Sequence, residues 1–299
     1  MTRFERVNLR NGLAFCAPWL VGLTVFTLYP VVASLYYSFC DYSVLQSPVW
    51  CGAENYGRMV HDRVFWISLR NTMFFAALSL PLGMIVSLSL ALLLNQEVRG
   101  LPVFRMIFYL PSIVPVVASS MLWLWIFNGQ LGILNSFLRP VLHWFGATPP
   151  AWLGDPHWAK PALVLMSLWG VGNSMVIYLA GLQNVPAELY EAAELDGAGA
   201  WRKFWHVTLP LISPVIYFNL IMGIIGSLQV FTTVFAMTGG ADGAPARSTL
   251  FYALYLFSTA FYDLRMGYAS AMAWVMFILI VLLTVIATKL SEKKVHYAS

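Results

Sequence analysis

The sequence is short of charge. Only 10% of its 299 residues are Asp, Glu, Lys or Arg, against roughly a quarter in soluble domains. Apolar residues make up 60%, and mean hydropathy is +0.72, which excludes an ordinary soluble domain. Cysteine is scarce, with three in the chain, and no Cys or His spacing resembles a metal site. Cys16 and Cys40 lie near opposite ends of one apolar run and cannot meet within a helix. Cys40 and Cys51 could close a short loop worth about 3 kcal/mol, or remain two unpaired small residues. There is no Gly-Lys dipeptide, so the chain carries no P-loop, which needs a Gly-rich turn ending in Gly-Lys. The net charge of +4 is spread over connections instead of gathered in a patch, which argues against a nucleic-acid partner.

Long apolar runs are what the sequence has. A bilayer crossing needs about 20 such residues, and six runs qualify, at about 13–39, 71–94, 106–128, 161–183, 211–237 and 266–288. These predict an all-α integral membrane protein of about six transmembrane helices in a single transmembrane domain over 1–299. The first run follows Arg3, Arg6 and Arg10 but is too long for a signal-peptide core, and no small-residue cleavage site follows it, so it reads as the first span. None of the six contains Asp, Glu, Lys, Arg or His. Proton relays and voltage sensors keep such groups in the membrane, so energy for any pumping is expected from outside it. There is no obvious internal duplication and no low-complexity stretch.

Orientation follows from Lys and Arg in the connections. One side carries Arg3, Arg6, Arg10, Arg99, Arg105, Arg202, Lys203, Lys289, Lys293 and Lys294; the other carries Arg58, Arg63, Arg70, Arg139, Lys160, Arg247 and Arg265. The richer side, with the shorter loops, is expected to be cytoplasmic, with both termini inside. Tyr36, Tyr37 and Trp66 outside, and Trp201 and Trp205 inside, suit interfacial aromatic belts.

The connection between the fourth and fifth runs, about 184–210, carries the most information. Pro186 suits a helix start, and Glu188 and Glu191 lie near the N-terminal end, where the helix dipole favours negative charge. Gly197 and Gly199 break the helix, and Trp201 to Val207 mixes aromatic and basic residues like a helix in the interface. A short acidic helix projecting from a membrane domain can act as a lever on a soluble partner.

Glu191-Ala192-Ala193, three residues, Gly197, nine residues, Val207, one residue and Leu209-Pro210 resemble the EAA loop of permease subunits in binding-protein-dependent ABC importers. Val207 replaces the usual Ile. Other stretches carry the same resemblance: YPVVASLYYSF (29–39), CGAENY (51–56), GLPVFRMIFYLPSIVP (100–115), QVFTTVFAMTGG (229–240) and MGYASA (266–271). They fit the maltose, lactose and glycerol-3-phosphate permease group, without the large periplasmic insertion of the maltose-type subunit.

The resemblance implies a type I importer permease fold in a bacterial or archaeal cytoplasmic membrane. It implies a second permease as heterodimer partner, two copies of an ATPase subunit and an extracytoplasmic sugar-binding protein, besides membrane lipid. The chain would need no cofactor and would not be an enzyme, ATP being bound by the partner ATPases. Glu188, Glu191, Ala192, Ala193, Asp196, Gly197, Leu209 and Pro210 would couple to that ATPase. An ungapped alignment from the loop places substrate contacts at Gly170, Asn173, Gly223 and Ser227. Trp169, Gly172 and Ser174 in the fourth run, and Gln229 and Thr232 in the fifth, add small or polar groups. Packing of helix on helix is an equal reading of each single small residue. No Arg or Lys lies in the spans to hold a phosphate, which favours a neutral sugar over glycerol-3-phosphate. The alternatives are an ATP-independent carrier or channel, and a membrane enzyme. The latter has only Asp155 and His157 as a candidate pair, which read as solvated loop residues.

Overall fold

The computed structural model describes residues 2–96 and 99–292. Among the residues used for orientation, Lys293 and Lys294 lie outside the described residues. Among the described residues the regular structure is helical apart from one small antiparallel pair of strands. In order, the helices are α1 (Arg3–Leu23), α2 (Tyr29–Ser38), α3 (Glu54–His61), α4 (Arg63–Leu94), α5 (Leu101–Ile113), α6 (Val116–Ile126), α7 (Ile133–Trp144), α8 (Pro156–Trp169), α9 (Gly172–Gln183), α10 (Ala187–Leu195), α11 (Ala200–Lys203), α12 (Leu209–Leu211), α13 (Ser213–Leu228), α14 (Thr232–Met237), α15 (Tyr252–Phe257) and α16 (Met266–Ser291). Single π-helical turns join α1 to α2 and α11 to α12, and follow α15. The strands are β1 (Cys40–Asp41) and β2 (Val49–Trp50).

Three helices, Asn8–Ser38, Arg63–Leu94 and Met266–Ser291, are long and apolar enough to cross a membrane. Three bent pairs also qualify: α5 with α6 at 99°, α8 with α9 at 46°, and Ala200–Leu211 with α13 at 66°. Counting each pair as one crossing gives six. The run read as 71–94 belongs to a helix that begins eight residues earlier, at Arg63, because a helix need not stop where the hydrocarbon does. The run read as 211–237 is not one helix. α13 ends at Leu228, and Phe231, with φ −130° and ψ −63°, precedes the separate α14.

The breaks have local causes. Val114 precedes Pro115 and is forced extended, with φ −66° and ψ 131°, as the proline ring requires of its neighbour. Asp155 caps α8, its carboxylate accepting the His157 backbone N–H at 2.8 Å. That bond and the His157 ring hold the Asp155 carboxyl below its usual range. The two residues thus form a helix cap.

The chain divides into two compact units, one made of residues up to Asp62 with Leu256–Phe277, the other of Arg63–Tyr255 with Ile278 onward. In the first unit, Asn55 donates to the Ser38 and Cys40 carbonyls at 3.0 and 2.9 Å, and Tyr56 donates to the Ser38 hydroxyl at 2.8 Å. Trp274 donates to the Ser34 hydroxyl at 3.2 Å. Cys40 and Cys51 are free thiols. The register sets Cys40 opposite Trp50, so the pleat turns the next side chain, Cys51, to the other face.

In the second unit, α4 packs against α8, α9 and α13, α5 against α9, and α6 against α14. One apolar cluster gathers Phe75, Phe127, Trp152, Leu163, Val234 and Phe251, and a second gathers Leu94, Met175, Tyr178, Leu182 and Ile212. Buried Asn71 donates to the carbonyls of Arg247 and Leu250 at 2.9 and 3.1 Å, pinning that segment to α4. Thr72 reinforces the join by accepting the Tyr252 N–H at 2.8 Å.

Candidate functional site

Within the second unit, three helix breaks converge on one hollow of about 230 Å³. Val114 ends α5, Gly170 ends α8 and Val230 lies between α13 and α14, and all three line it. The remaining wall mixes rings with small polar groups: Phe75 and Trp169 beside Ser112, Ser167, Asn173 and Thr233. A neighbouring hollow of about 380 Å³ shares Phe75, Ser167, Gly170 and Val230, and adds Ser79, Ser174, Asn219, Gly223 and Ser227. No ionisable side chain lines either one.

The hydroxyls are oriented by their own helices. Ser112 donates to the Tyr109 carbonyl at 2.7 Å, Ser167 to Val164 at 2.6 Å and Ser227 to Ile224 at 3.1 Å. Each oxygen therefore faces outward as an acceptor, suited to a ligand rich in O–H donors. Trp169 offers a partly exposed ring, held edge-on to Trp123 at 6.0 Å.

Sequence reasoning named six residues that the structure brings to these hollows: Trp169, Gly170, Asn173, Ser174, Gly223 and Ser227. Gln229 caps the end of α13, exposed, and lines neither hollow. Thr232 opens α14 while its neighbour Thr233 takes the place in the wall. Gly172 serves packing, because a Cβ there would lie 2.8 Å from the Phe108 carbonyl oxygen of α5. Phe75, Ser112 and Ser167 were missed. Ser112 carried a signal, since it is a polar residue set between Pro111 and Pro115 in an otherwise apolar stretch.

The second region is the loop 184–210. α10 starts after Pro186, whose ψ of 132° is outside the helical range, and none of its nine residues is buried. Glu188, Glu191, Ala192 and Leu195 share one face at helical spacing, and Leu195 is 90% exposed. Ala193 lies half-buried on another face. Asp196 is the C-cap, and Gly197 follows with φ +76°. The Gly197 N–H reaches the Glu194 carbonyl at 2.9 Å and the Ala198 N–H the Ala193 carbonyl at 2.8 Å, a Schellman ending. Lys203 pairs with Glu194 at 2.5 Å, and Tyr190 with the Thr208 hydroxyl at 3.0 Å. Leu209 and Pro210, half-buried, open α12 beyond that contact.

Comparison with known proteins agrees with this architecture. Residues 79–297 match the family described as binding-protein-dependent transport system inner membrane component. The chain is 40% identical, over 100% of its own length and 96% of the relative's, to a probable ABC transporter permease protein, YesP, of Bacillus subtilis. It is 35% identical to the lactose transport system permease protein LacF of Rhizobium radiobacter, covering 92% of this chain and 91% of that one. The fold is similar, with a TM-score of 0.83 at 22% identity over 98% of this chain and 99% of the other, to a bacterial ABC transporter involved in the import of the acidic polysaccharide alginate. With its helices, its broken crossings and most of its length accounted for in this way, the chain belongs to the inner membrane components of binding-protein-dependent transport systems.

Proposed function

We propose that this chain is the permease subunit of an ATP-driven sugar importer, forming half of the translocation pathway and coupling to a cytoplasmic ATPase through α10. The observation that carries the coupling reading is α10 itself. It is a nine-residue helix with no buried residue, ended by a left-handed glycine and tied to the following segment through Glu194 and Tyr190. A helix so exposed, with an acidic face and an apolar tip at Leu195, has the form of a docking element. Two ATPase copies, a second permease and an extracytoplasmic sugar-binding protein complete the assembly in this reading, with both termini cytoplasmic. In the same reading ATP is bound by the partners, and this chain needs no cofactor.

A neutral sugar is favoured by the hollows, whose serine oxygens accept hydrogen bonds and whose Trp169 ring can face a sugar ring, with no cation for a phosphate. The lactose permease relative points the same way. Glycerol-3-phosphate would need its positive charge from the partner permease. A carrier working without ATP has no use for α10.

The test is to purify the tagged chain from its host and identify what accompanies it, then reconstitute the material. An ATPase, a second permease and uptake that requires ATP would support the reading. A chain that purifies alone and moves solute without ATP would overturn it.

A further inference from the structure

Two neighbouring cations in the second unit, Arg70 and Lys160, form no ion pair among the described residues. Arg70 on α4 is exposed, and its side chain makes no hydrogen bond or ion pair with any described residue. Lys160 on α8 is half-buried and donates to the Asn71 side-chain oxygen at 3.1 Å, with its ammonium 5.1 Å from the centre of the Phe74 ring. Both contacts place Lys160 against the turn of α4 that carries Arg70, since Asn71 is its chain neighbour and Phe74 lies four residues on, on the same helix face. A partly desolvated ammonium beside a guanidinium is unfavourable unless an anion joins them.

Their height says which anion. At 1.5 Å per residue, Arg70 stands about 36 Å from the far end of α4, and Lys160 stands roughly as far from the far end of α9. The hydrocarbon core is about 30 Å thick, so both cations reach the headgroup layer. Trp66 and Trp158, 51% and 43% exposed, lie just beyond them, at the depth where tryptophan is enriched. From Arg70 an exposed apolar stripe runs along α4 toward the core through Phe74, Leu78 and Ile85, at spacings that keep one helix face.

We propose that Arg70 and Lys160 bind the phosphate of an anionic glycerophospholipid whose acyl chain lies along Phe74, Leu78 and Ile85. The guanidinium offers a planar pair of donors to phosphate oxygens, and the ammonium offers its remaining donors. The site rests on the membrane location of the chain and not on what it transports, so its failure and that of the importer reading are separable.

The test uses the chain purified with its accompanying subunits, delipidated in mild detergent and titrated with phosphatidylglycerol, with bound lipid counted by native mass spectrometry. The wild type should retain phosphatidylglycerol in preference to phosphatidylcholine. Arg70→Gln with Lys160→Gln should weaken retention about 30-fold, from two basic contacts at the membrane surface. Lys160→Arg, which keeps the charge, should retain the lipid and guards against a folding defect. Equal retention by the double variant would overturn the proposal. So would displacement of the lipid by millimolar inorganic phosphate, which would indicate a free-anion site. Loss of another subunit from the double variant with lipid retention unchanged would also overturn it, assigning the pair to a protein carboxylate.

Discussion

Gly197 allows a sharp test of coupling, because its cost can be separated from its surroundings. A Cβ built there meets nothing within 4 Å, yet φ is +76°, a region that costs an L-residue about 1–2 kcal/mol. Substitution therefore creates no clash and acts on the backbone alone. The two hydrogen bonds that end α10 come from the N–H groups of Gly197 and Ala198, and both depend on that left-handed turn. A penalty of about 1–2 kcal/mol lowers the population of the properly ended helix by about 5–30-fold. Uptake should fall in the order Gly, Asn, Ala, Val, since Asn tolerates the left-handed region best and a β-branched residue least. ATP-dependent uptake in reconstituted liposomes, and ATPase retained on affinity resin, would measure the effect. Thermal unfolding of the membrane portion should stay unchanged. Normal uptake by Gly197→Val would refute the reasoning. A loss that followed side-chain volume instead, with Asn worse than Ala, would mean that the position is crowded by a partner and not strained.

Three further outcomes are expected. Gly172→Ala should lower detergent-phase stability by about 1–3 kcal/mol, because its Cβ meets the α5 backbone at Phe108 and overpacking there has no easy relief. Gly223→Ala meets only the tip of the Leu80 side chain and should change stability by less than about 1 kcal/mol, the scale of one rotamer shift; equal losses in both, by tryptophan-monitored melting, would contradict the geometry. Asn71→Ala leaves the Arg247 and Leu250 carbonyls and Lys160 without their partner, so the segment 243–252 should become protease-sensitive at a cost of about 2–3 kcal/mol. An unchanged digest would show that the join does not depend on Asn71. Asn173→Ala should weaken apparent sugar affinity by about fivefold, the worth of one hydrogen bond, with assembly intact, and unchanged uptake kinetics would remove Asn173 from the pathway.

What was legible in the sequence follows from range. Length and lack of charge depend on local composition, so the apolar runs could be read directly. The cap at Gly197 involves residues within five positions of one another, and it too was readable. The join at Asn71 spans 176 residues to Arg247, and nothing local at Asn71 announces it. Within the apolar runs no break was read from sequence: 106–128 reads as one crossing although Pro115 forces Val114 out of the helix. The end of α13 at Leu228 has no such marker, since no proline, glycine or charge stands between it and Met237, and composition cannot tell a straight helix from a bent one. Thr232 and Thr233 show the same limit at finer scale, where one step of helix phase decides which hydroxyl reaches the hollow.

The three breaks around that hollow bear on hydration. A broken helix leaves main-chain N–H and C=O groups outside its ladder, and hydrocarbon offers them no partners. On the proposed reading, water would serve those groups when no solute occupies the hollow. A polyhydroxylated solute entering there exchanges its own hydroxyls for those waters, group for group. It is never stripped into oil, and the barrier it meets is set by how well the two sets of hydrogen bonds match.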